Sequence, residues 1–154
     1  MSSGNITLYS ANKNHLNIAD VLANGAKLAL LTSAYTPNSL ITGESVWASI
    51  SANEIAAGNG YTAGGIALSG LAAVALGNNL GYQLNSNSPV WTATGGSIPN
   101  WRWGVLYVPA TLWGLTTPLL GYFVGDATPA DIPATTITNT LTINTPANGW
   151  FTDQ

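Results

Sequence analysis

The side chains that could perform acid–base or metal chemistry are few in this chain, and they are scattered. His15 is the only histidine, and Asp20 is the only acidic residue within ten positions of it. A zinc site takes several nitrogen or sulfur ligands, and the chain has no cysteine. We therefore interpret His15 as a solvated side chain, and we predict neither a metal ion nor a disulfide.

Paired carboxylates are a second source of chemistry, because two acids at a suitable distance can act as acid and base or nucleophile. Glu44 and Glu54 lie ten residues apart, and Asp126 and Asp131 bracket a turn-rich loop. Surface solvation is the simpler interpretation of both pairs.

The glycine-rich residues 58–65 contain no lysine, so they do not match a phosphate-binding loop. No G-x-S-x-G elbow is present either. We predict that the protein is not an enzyme and needs no cofactor.

Charged side chains form a small part of the sequence. Only nine of the 154 residues, or 6%, are Lys, Arg, Asp or Glu, whereas an ordinary soluble domain carries about 25%. Polarity comes from uncharged side chains, including 18 threonines and 16 asparagines. One or two hydrogen bonds satisfy a covered hydroxyl or amide, whereas an unpaired buried charge costs several kcal/mol. This composition favours a subunit of a permanent assembly. A secreted or extreme-environment domain with a neutral surface is the alternative.

The overall charge argues against two classes of partner. The net charge is −3 and the pI is about 4.5. Nucleic acid binding requires a cationic surface, and anionic membranes attract basic segments. The longest apolar stretch, residues 63–76, is interrupted by Gly and Ser, and its 14 residues fall short of the roughly 20 that a spanning helix needs. We expect neither nucleic acid nor a membrane as a partner.

Six tryptophans could supply an aromatic binding surface. We expect Trp113, in the turn-rich residues 109–118, to be partly exposed. An exposed aromatic side chain is typical of a sugar-binding platform or of a protein interface. A tryptophan folded back on the core is the alternative. The residues beside Trp113 include no Asp, Asn or Gln, which weakens the prediction of a glycan site.

The spacing of apolar residues predicts the elements that position these side chains. Residues 16–22 are apolar at helical spacing and precede Gly25, which predicts a short helix with a glycine cap. Residues 27–34 form a continuous apolar run, which is typical of a buried strand. Residues 101–108 are apolar on both faces and predict a central strand. Residues 119–124 predict another.

The pattern at residues 137–144 is a clean alternation, with Ile137 and Leu141 on one face and threonines on the other. Short strands with regular turn signals indicate an all-β fold. We predict a mainly β, single-domain antiparallel β-sandwich, jelly-roll or Ig-like, with at most one or two short helices. The polar residues 1–15 are predicted as an extended N-terminal arm or edge strand, and residues 16–154 as the sandwich domain.

Three parts of this arrangement are candidate contacts with neighbouring subunits. An arm can add a strand to a neighbour's sheet through backbone hydrogen bonds, which need no charge. Trp113 can anchor an interface, and residues 125–134 predict a surface loop. The candidate intersubunit contacts are Asn5, Leu8, Tyr9, Lys13, Trp113, Asp126 and Asp131.

Four phrases resemble, in their order and spacing, a family of small virion structural proteins of tailed bacteriophages. They are LLTSAYTPN at residues 30–38, GYTAGGIAL at 60–68 after Asn53 and Glu54, WRWGVLY at 101–107, and LLGY at 119–122. The resemblance runs from about residue 16 to residue 152. Two departures are the WRWG sequence, where the family has an Ala-Arg-Tyr-Ala type, and the scarcity of charges. The first implies a repacked core.

The resemblance implies a capsid decoration, or cement, protein on the outer surface of the capsid. Its partner would be the major capsid protein, and closed symmetry would make it a homo-oligomer, either a trimer or a dimer. A tail or fibre component that contacts a host glycan is the alternative. Arg102, within an apolar strand, predicts a structural ion pair, with Glu54 as the candidate acid, or an interface anchor.

Overall fold

The computed structural model describes residues 6–128 and 130–153, and the predicted contact Asn5 lies outside them. The fold is mainly β, and all its strand pairs are antiparallel. One α-helix, α1 (Ile18–Asn24), and three short 3-10 helices (Ser10–Asn12, Trp47–Ser49 and Ser51–Asn53) complete the described elements. The strands are β1 (Thr7–Leu8), β2 (Lys27–Leu31), β3 (Ile66–Ala67), β4 (Ala72–Ala75), β5 (Tyr82–Asn85), β6 (Val90–Thr92), β7 (Trp103–Tyr107), β8 (Thr111–Leu112), β9 (Leu115–Thr116), β10 (Leu119–Val124), β11 (Thr140–Thr142) and β12 (Thr152–Asp153).

Helix α1 forms where the apolar spacing predicts a helix. The Asn17 side chain accepts a hydrogen bond from the Asp20 N–H at 2.8 Å, which satisfies one of the free N–H groups at the helix start. Gly25, with φ of 78°, ends the helix in a backbone conformation that favours glycine. Ile18 and Val21 are buried and attach the helix to the core.

A five-stranded sheet in the order β1-β10-β7-β2-β3 forms the centre of the molecule. Both of its faces are covered, as the apolar runs of β2 and β7 predict. Leu28 and Leu30 belong to the larger core cluster on one face, and Ala29 and Leu31 to the smaller cluster on the other. The predicted central strand at residues 101–108 is confirmed as β7, which lies between β10 and β2.

Two small sheets, β12-β5-β4 and β11-β6, contribute to the larger cluster and form the second layer of a sandwich. Their buried contributions to it include Leu84, Trp91 and Leu141. The smaller cluster is covered by residues 32–53, from which Tyr35 and Ile50 are buried. The predicted single-domain antiparallel β-sandwich with few short helices is therefore confirmed.

A glycine lets the two central strands pack at Phe123. Gly104 in β7 pairs with Phe123 in β10, and a Cβ atom at Gly104 would lie 2.2 Å from the Phe123 ring. No side chain larger than hydrogen fits there without displacement of the ring. The register of this pair also shifts between Leu119 and Gly121, which marks a β-bulge.

The described residues 6–15 agree with the edge-strand alternative of the prediction for the N-terminal segment. Thr7 pairs with Tyr122, so β1 is an edge strand of the central sheet. Tyr9 is buried at 1% exposure, and Asn12 is buried as well. These contacts attach residues 6–15 to the central sheet and to its smaller core cluster.

Two further expectations need correction. Arg102 pairs with Asp131, with 2.8 Å between Nε and Oδ1, and not with Glu54. The alternating residues 137–144 form a strand only at β11, and Ile137 is 51% exposed. Thr138 has a φ of 70° in the turn that precedes β11, and this turn removes Ile137 from the face that Leu141 buries.

Candidate binding surface

Trp113 lies at the tip of the β8–β9 hairpin. Thr111 pairs with Thr116 and Leu112 with Leu115, which leaves Trp113 and Gly114 as a two-residue turn. Both have positive φ, 56° and 75°, as a type I′ turn requires. The first turn position usually holds Asn, Asp or Gly, and a bulky residue there carries backbone strain. Strain of this kind is concentrated at functional sites.

Three polar side chains from the N-terminal region surround the Trp113 indole. Its Nε1–H donates to Asp20 Oδ2 at 2.8 Å, and the His15 ring stacks on it with 6.1 Å between ring centroids. Asn17 Nδ2 donates to the same carboxylate oxygen at 2.6 Å. The hydrogen bond from Trp113, with a second from Asn17, lowers the pKa of the Asp20 carboxyl. The hydrogen bond to Asp20 links the indole to helix α1.

A groove of about 360 Å³ lies beside this cluster. It is open to solvent, and its wall on one side is Ile41. Asn12 contributes a buried amide whose Oδ1 has no hydrogen-bond partner among the described residues. The groove is lined by Ala11, Asn12, His15, Ile41, Thr42, Gly43, Ser45, Trp113 and Leu115.

A second groove of about 390 Å³ also has Ile41 in its lining. It is lined by Ser10, Ala11, Lys13, Asn14 and Ile41. Ile41 is 80% exposed and its neighbour Leu40 is 67% exposed. We define the Ile41 surface as Lys13, His15, Leu40, Ile41 and Trp113.

Hydrogen bonds hold the loop that carries Leu40 and Ile41. Glu44 Oε2 accepts from the Tyr35 hydroxyl at 2.7 Å and from the Asn38 N–H at 3.0 Å. The Gly43 N–H donates to the Leu40 carbonyl at 2.9 Å and closes the turn. The two apolar side chains are therefore presented on a fixed turn, which limits the entropy lost when a partner covers them.

Among the predicted contacts that the structure describes, Lys13 and Trp113 each line a groove to which Ile41 also contributes. Trp113 is half-buried, in agreement with the expectation of partial exposure. Leu8 is half-buried against the larger core cluster. Tyr9 corrects the prediction, because its buried hydroxyl bonds to Tyr35 Oη at 2.6 Å and it offers no surface in this fold.

The two predicted aspartates do not line either groove. Asp126 Oδ1 accepts from the N–H and the hydroxyl of Thr128, at 2.9 and 2.7 Å, and these bonds lower its pKa. Asp131 is engaged by Arg102 and by Asn100 Nδ2. Both carboxylates have local structural roles in their loop.

Leu40 and Ile41 are the functional candidates that sequence reasoning missed. The signal was available, because two adjacent large apolar residues interrupt a polar, turn-rich segment at residues 36–45. An isolated apolar pair in a loop usually folds onto the core, and only the tertiary structure shows that these side chains point outward.

Comparison with known proteins gives no match among protein-family models, curated proteins or solved structures. Across residues 6–128 and 130–153, no three His, Asp or Glu side chains come together as a set that could hold a metal ion. In the same residues, no helix has the length and apolar character needed to cross a membrane.

Proposed function

We propose that this chain is a non-enzymatic virion structural protein of a tailed bacteriophage, a capsid decoration protein that binds the outer surface of the major capsid protein shell. The observation that carries the proposal is the Ile41 surface, where the exposed Ile41 lines both grooves and the exposed Leu40 precedes it on the same turn. Such a feature is typical of a docking site, because large apolar side chains gain free energy when a partner covers them.

Two features of the sequence support the same function. The ordered phrases at residues 30–38, 60–68, 101–107 and 119–122 resemble phage virion proteins. The low charge content leaves a surface that a partner can cover at little desolvation cost. Neither feature depends on the Ile41 surface, so the three observations support the proposal separately.

Decoration would stabilise the capsid by mass action. A protein that binds the assembled shell and not its free subunits shifts the equilibrium toward the shell. Full burial of one side chain such as Ile41 contributes about 1.5–3 kcal/mol. The stabilising free energies of many bound copies add over one shell, so a modest affinity at each site is sufficient.

Cryo-electron microscopy of purified phage particles that carry the chain tests the location. Hundreds of copies in the icosahedral order of the shell, with Ile41 at the contact, are the expected result. A few copies at the portal, tail or fibre would overturn the capsid assignment.

A pair of variants tests the surface itself. Ile41→Asn should reduce the number of copies retained on particles, because it places an amide where an apolar contact forms. Ile137→Asn is the matched control, since Ile137 is also exposed, at 51%, and lies away from both grooves. Equal retention of the two variants would remove the Ile41 surface from the proposal.

A second candidate function is a tail or fibre component that contacts a host glycan. The specific observation in its favour is that the fold places Asp20 and His15 at Trp113, with Asn17 bonded to Asp20. These are the polar partners that are missing from the sequence around Trp113. Sugar sites combine an aromatic face with such groups.

A glycan array with the purified chain tests this candidate. Specific binding that Trp113→Ala removes and Trp113→Phe partly keeps would support it, because phenylalanine retains an aromatic face. Absence of binding to every glycan class on the array, or binding unaffected by Trp113→Ala, would reject a glycan site at Trp113.

A further inference from the structure

Strand β4 is an open edge of the sheet β12-β5-β4. The Leu76 N–H donates to the Gly81 carbonyl, so the backbone groups of Leu76 point toward β5. Neighbouring residues of a strand alternate in direction, so the N–H and C=O groups of Ala73 and Ala75 point away from β5. The Leu84 N–H donates to the Phe151 carbonyl and the Leu84 carbonyl accepts from the Trp150 N–H, so Leu84 faces away from β4, and Gln83 and Asn85 face it.

This edge lacks the features that protect sheet edges from pairing. Proteins shield such edges with charged side chains, prolines, bulges or very short strands. No charged residue occurs between Glu54 and Arg102, and no proline between Pro37 and Pro89. The register of β4 with β5 is regular, and β4, with four residues, is the longest of the strands that end a sheet in the described residues.

Exposed apolar side chains cluster beside the same edge. Of the eight exposed large hydrophobic residues within 6–128 and 130–153, four belong to β4, its turn, β5 or the adjacent helix. They are Val74, Leu80, Tyr82 and Leu22, with exposures of 40%, 73%, 56% and 38%. Leu22, Ala73 and Tyr82 also line a groove of about 240 Å³ between α1 and this sheet.

We infer that β4 is a homotypic interface, at which a second copy of the chain adds its own β4 in antiparallel orientation about a two-fold axis. When the two-fold axis passes beside Val74, the backbone N–H and C=O of Ala73 bond to the C=O and N–H of the partner's Ala75. By symmetry, Ala75 bonds in the same way to the partner's Ala73. The four backbone hydrogen bonds leave Val74 opposite the partner's Val74, where side chains of an antiparallel pair approach most closely.

Charge makes a second copy the fitting occupant. Two chains with a net charge of −3 repel each other, and this repulsion is smallest where the contact surface carries no charged side chain. Strand β4 itself carries no charged residue, and the acid that lines the groove beside Ala73 is Asp153 of β12, so self-pairing places no like charges directly opposite each other within the paired strands. The two-fold arrangement is also self-complementary, as a closed dimer needs. The inference concerns the isolated chain and does not depend on the proposed capsid role.

Charge variants at Val74 test the pairing in purified protein. Sedimentation velocity across the micromolar range should show a dimer for the wild type and a monomer for both Val74→Lys and Val74→Glu, with dissociation constants raised more than tenfold. An equimolar mixture of the two variants should restore the dimer, because opposite charges then face each other. Ile137→Lys controls for added surface charge and should remain dimeric.

Disulfide trapping tests the register independently. Because the chain has no cysteine, Val74→Cys provides a single thiol, and residues opposite each other in this kind of pair lie about 4.5 Å apart between Cα atoms, within reach of a disulfide. Mild oxidation should link two copies of Val74→Cys and not of Ile137→Cys. A monomeric wild type, or a dimer unaffected by Val74→Lys, would overturn the inference. The inference would also be overturned if the wild type were monomeric and Val74→Lys, but not Ile137→Lys, lost attachment to particles. The β4 edge would then bind another protein and not a second copy.

Discussion

The Asn12 side-chain amide donates to the main-chain oxygen of Leu119 at 2.8 Å, across 107 positions of sequence. The same Nδ2 donates to the Ser45 oxygen at 2.7 Å. One buried amide thus joins the N-terminal segment, the loop that carries Ile41, and the start of β10. This contact explains why the first described residues are part of the domain.

Replacement of Asn12 by Asp should destabilise the fold. The substitution keeps the shape of the side chain but replaces Nδ2, which donates to two carbonyl oxygens, with a carboxylate oxygen that cannot donate. We expect the free energy of unfolding to fall by more than about 2 kcal/mol, since the buried carbonyls lose their donor. Urea unfolding monitored by tryptophan fluorescence measures the change. Asn14→Asp, at an exposed position, should have little effect, and equal losses for the two variants would contradict this role of Asn12.

Gly104→Ala should also destabilise the protein, because its Cβ would lie 2.2 Å from the Phe123 ring. Overpacking of this kind costs about 1–3 kcal/mol. The double variant Gly104→Ala with Phe123→Leu should lose less than the sum of the two single losses, since the smaller side chain makes room. Thermal unfolding provides the comparison. Gly77→Ala is the control, because nothing lies within 4 Å of a Cβ at that position, and additive losses in the double variant would argue against the clash.

Two acidic residues should differ in their contribution to stability. Glu54 Oε1 accepts from the Tyr61 hydroxyl and the Gly64 N–H, each at 2.7 Å. Glu54→Ala leaves both donors without this partner and should cost about 1–3 kcal/mol. Asp131→Ala removes an ion pair whose side chains are 28% and 29% exposed, and it should cost less than about 1 kcal/mol. Chemical denaturation measures the loss in the free energy of unfolding for each variant. A larger loss for Asp131→Ala than for Glu54→Ala would contradict the prediction that Glu54 contributes more to stability.

Stability should decline in alkaline solution because of buried tyrosines. Burial raises the pKa of Tyr107 to about 12 and raises the pKa of Tyr9, Tyr35 and Tyr61 further. In the unfolded chain these groups ionise near their ordinary value of 10.0. The folded state therefore retains protons that the unfolded state loses, so this stability is fully present below about pH 10 and falls as the pH rises above it.

Urea unfolding at a series of alkaline pH values measures this decline. Tyr107→Phe should flatten it, because one buried group no longer titrates, although it also loses the hydrogen bond to the Gly64 carbonyl. Complete ionisation of the tyrosines, seen as tyrosinate absorbance while the protein remains folded, would contradict the predicted shifts.

Local patterns in the sequence predicted the elements whose residues are apolar on a regular spacing. The helix that ends at Gly25, the buried strand at β2 and the central strand at β7 all follow from side-chain periodicity and turn residues. Their physical basis is local, because the alternation of side chains in a strand and the backbone freedom of glycine need no distant partner. The prediction at residues 137–144 was less successful, because the turn at Thr138 interrupts the alternation.

The sequence by itself determined the mainly β class and the low charge of the surface. The tertiary structure alone decided that Asp20 and His15 meet Trp113, that Arg102 pairs with Asp131, and that Ile41 points outward. Each of these outcomes depends on strand register and on loop closure between residues far apart in the chain. No local pattern encodes such a pairing, because it results from the packing of whole sheets and not from the preferences of neighbouring residues.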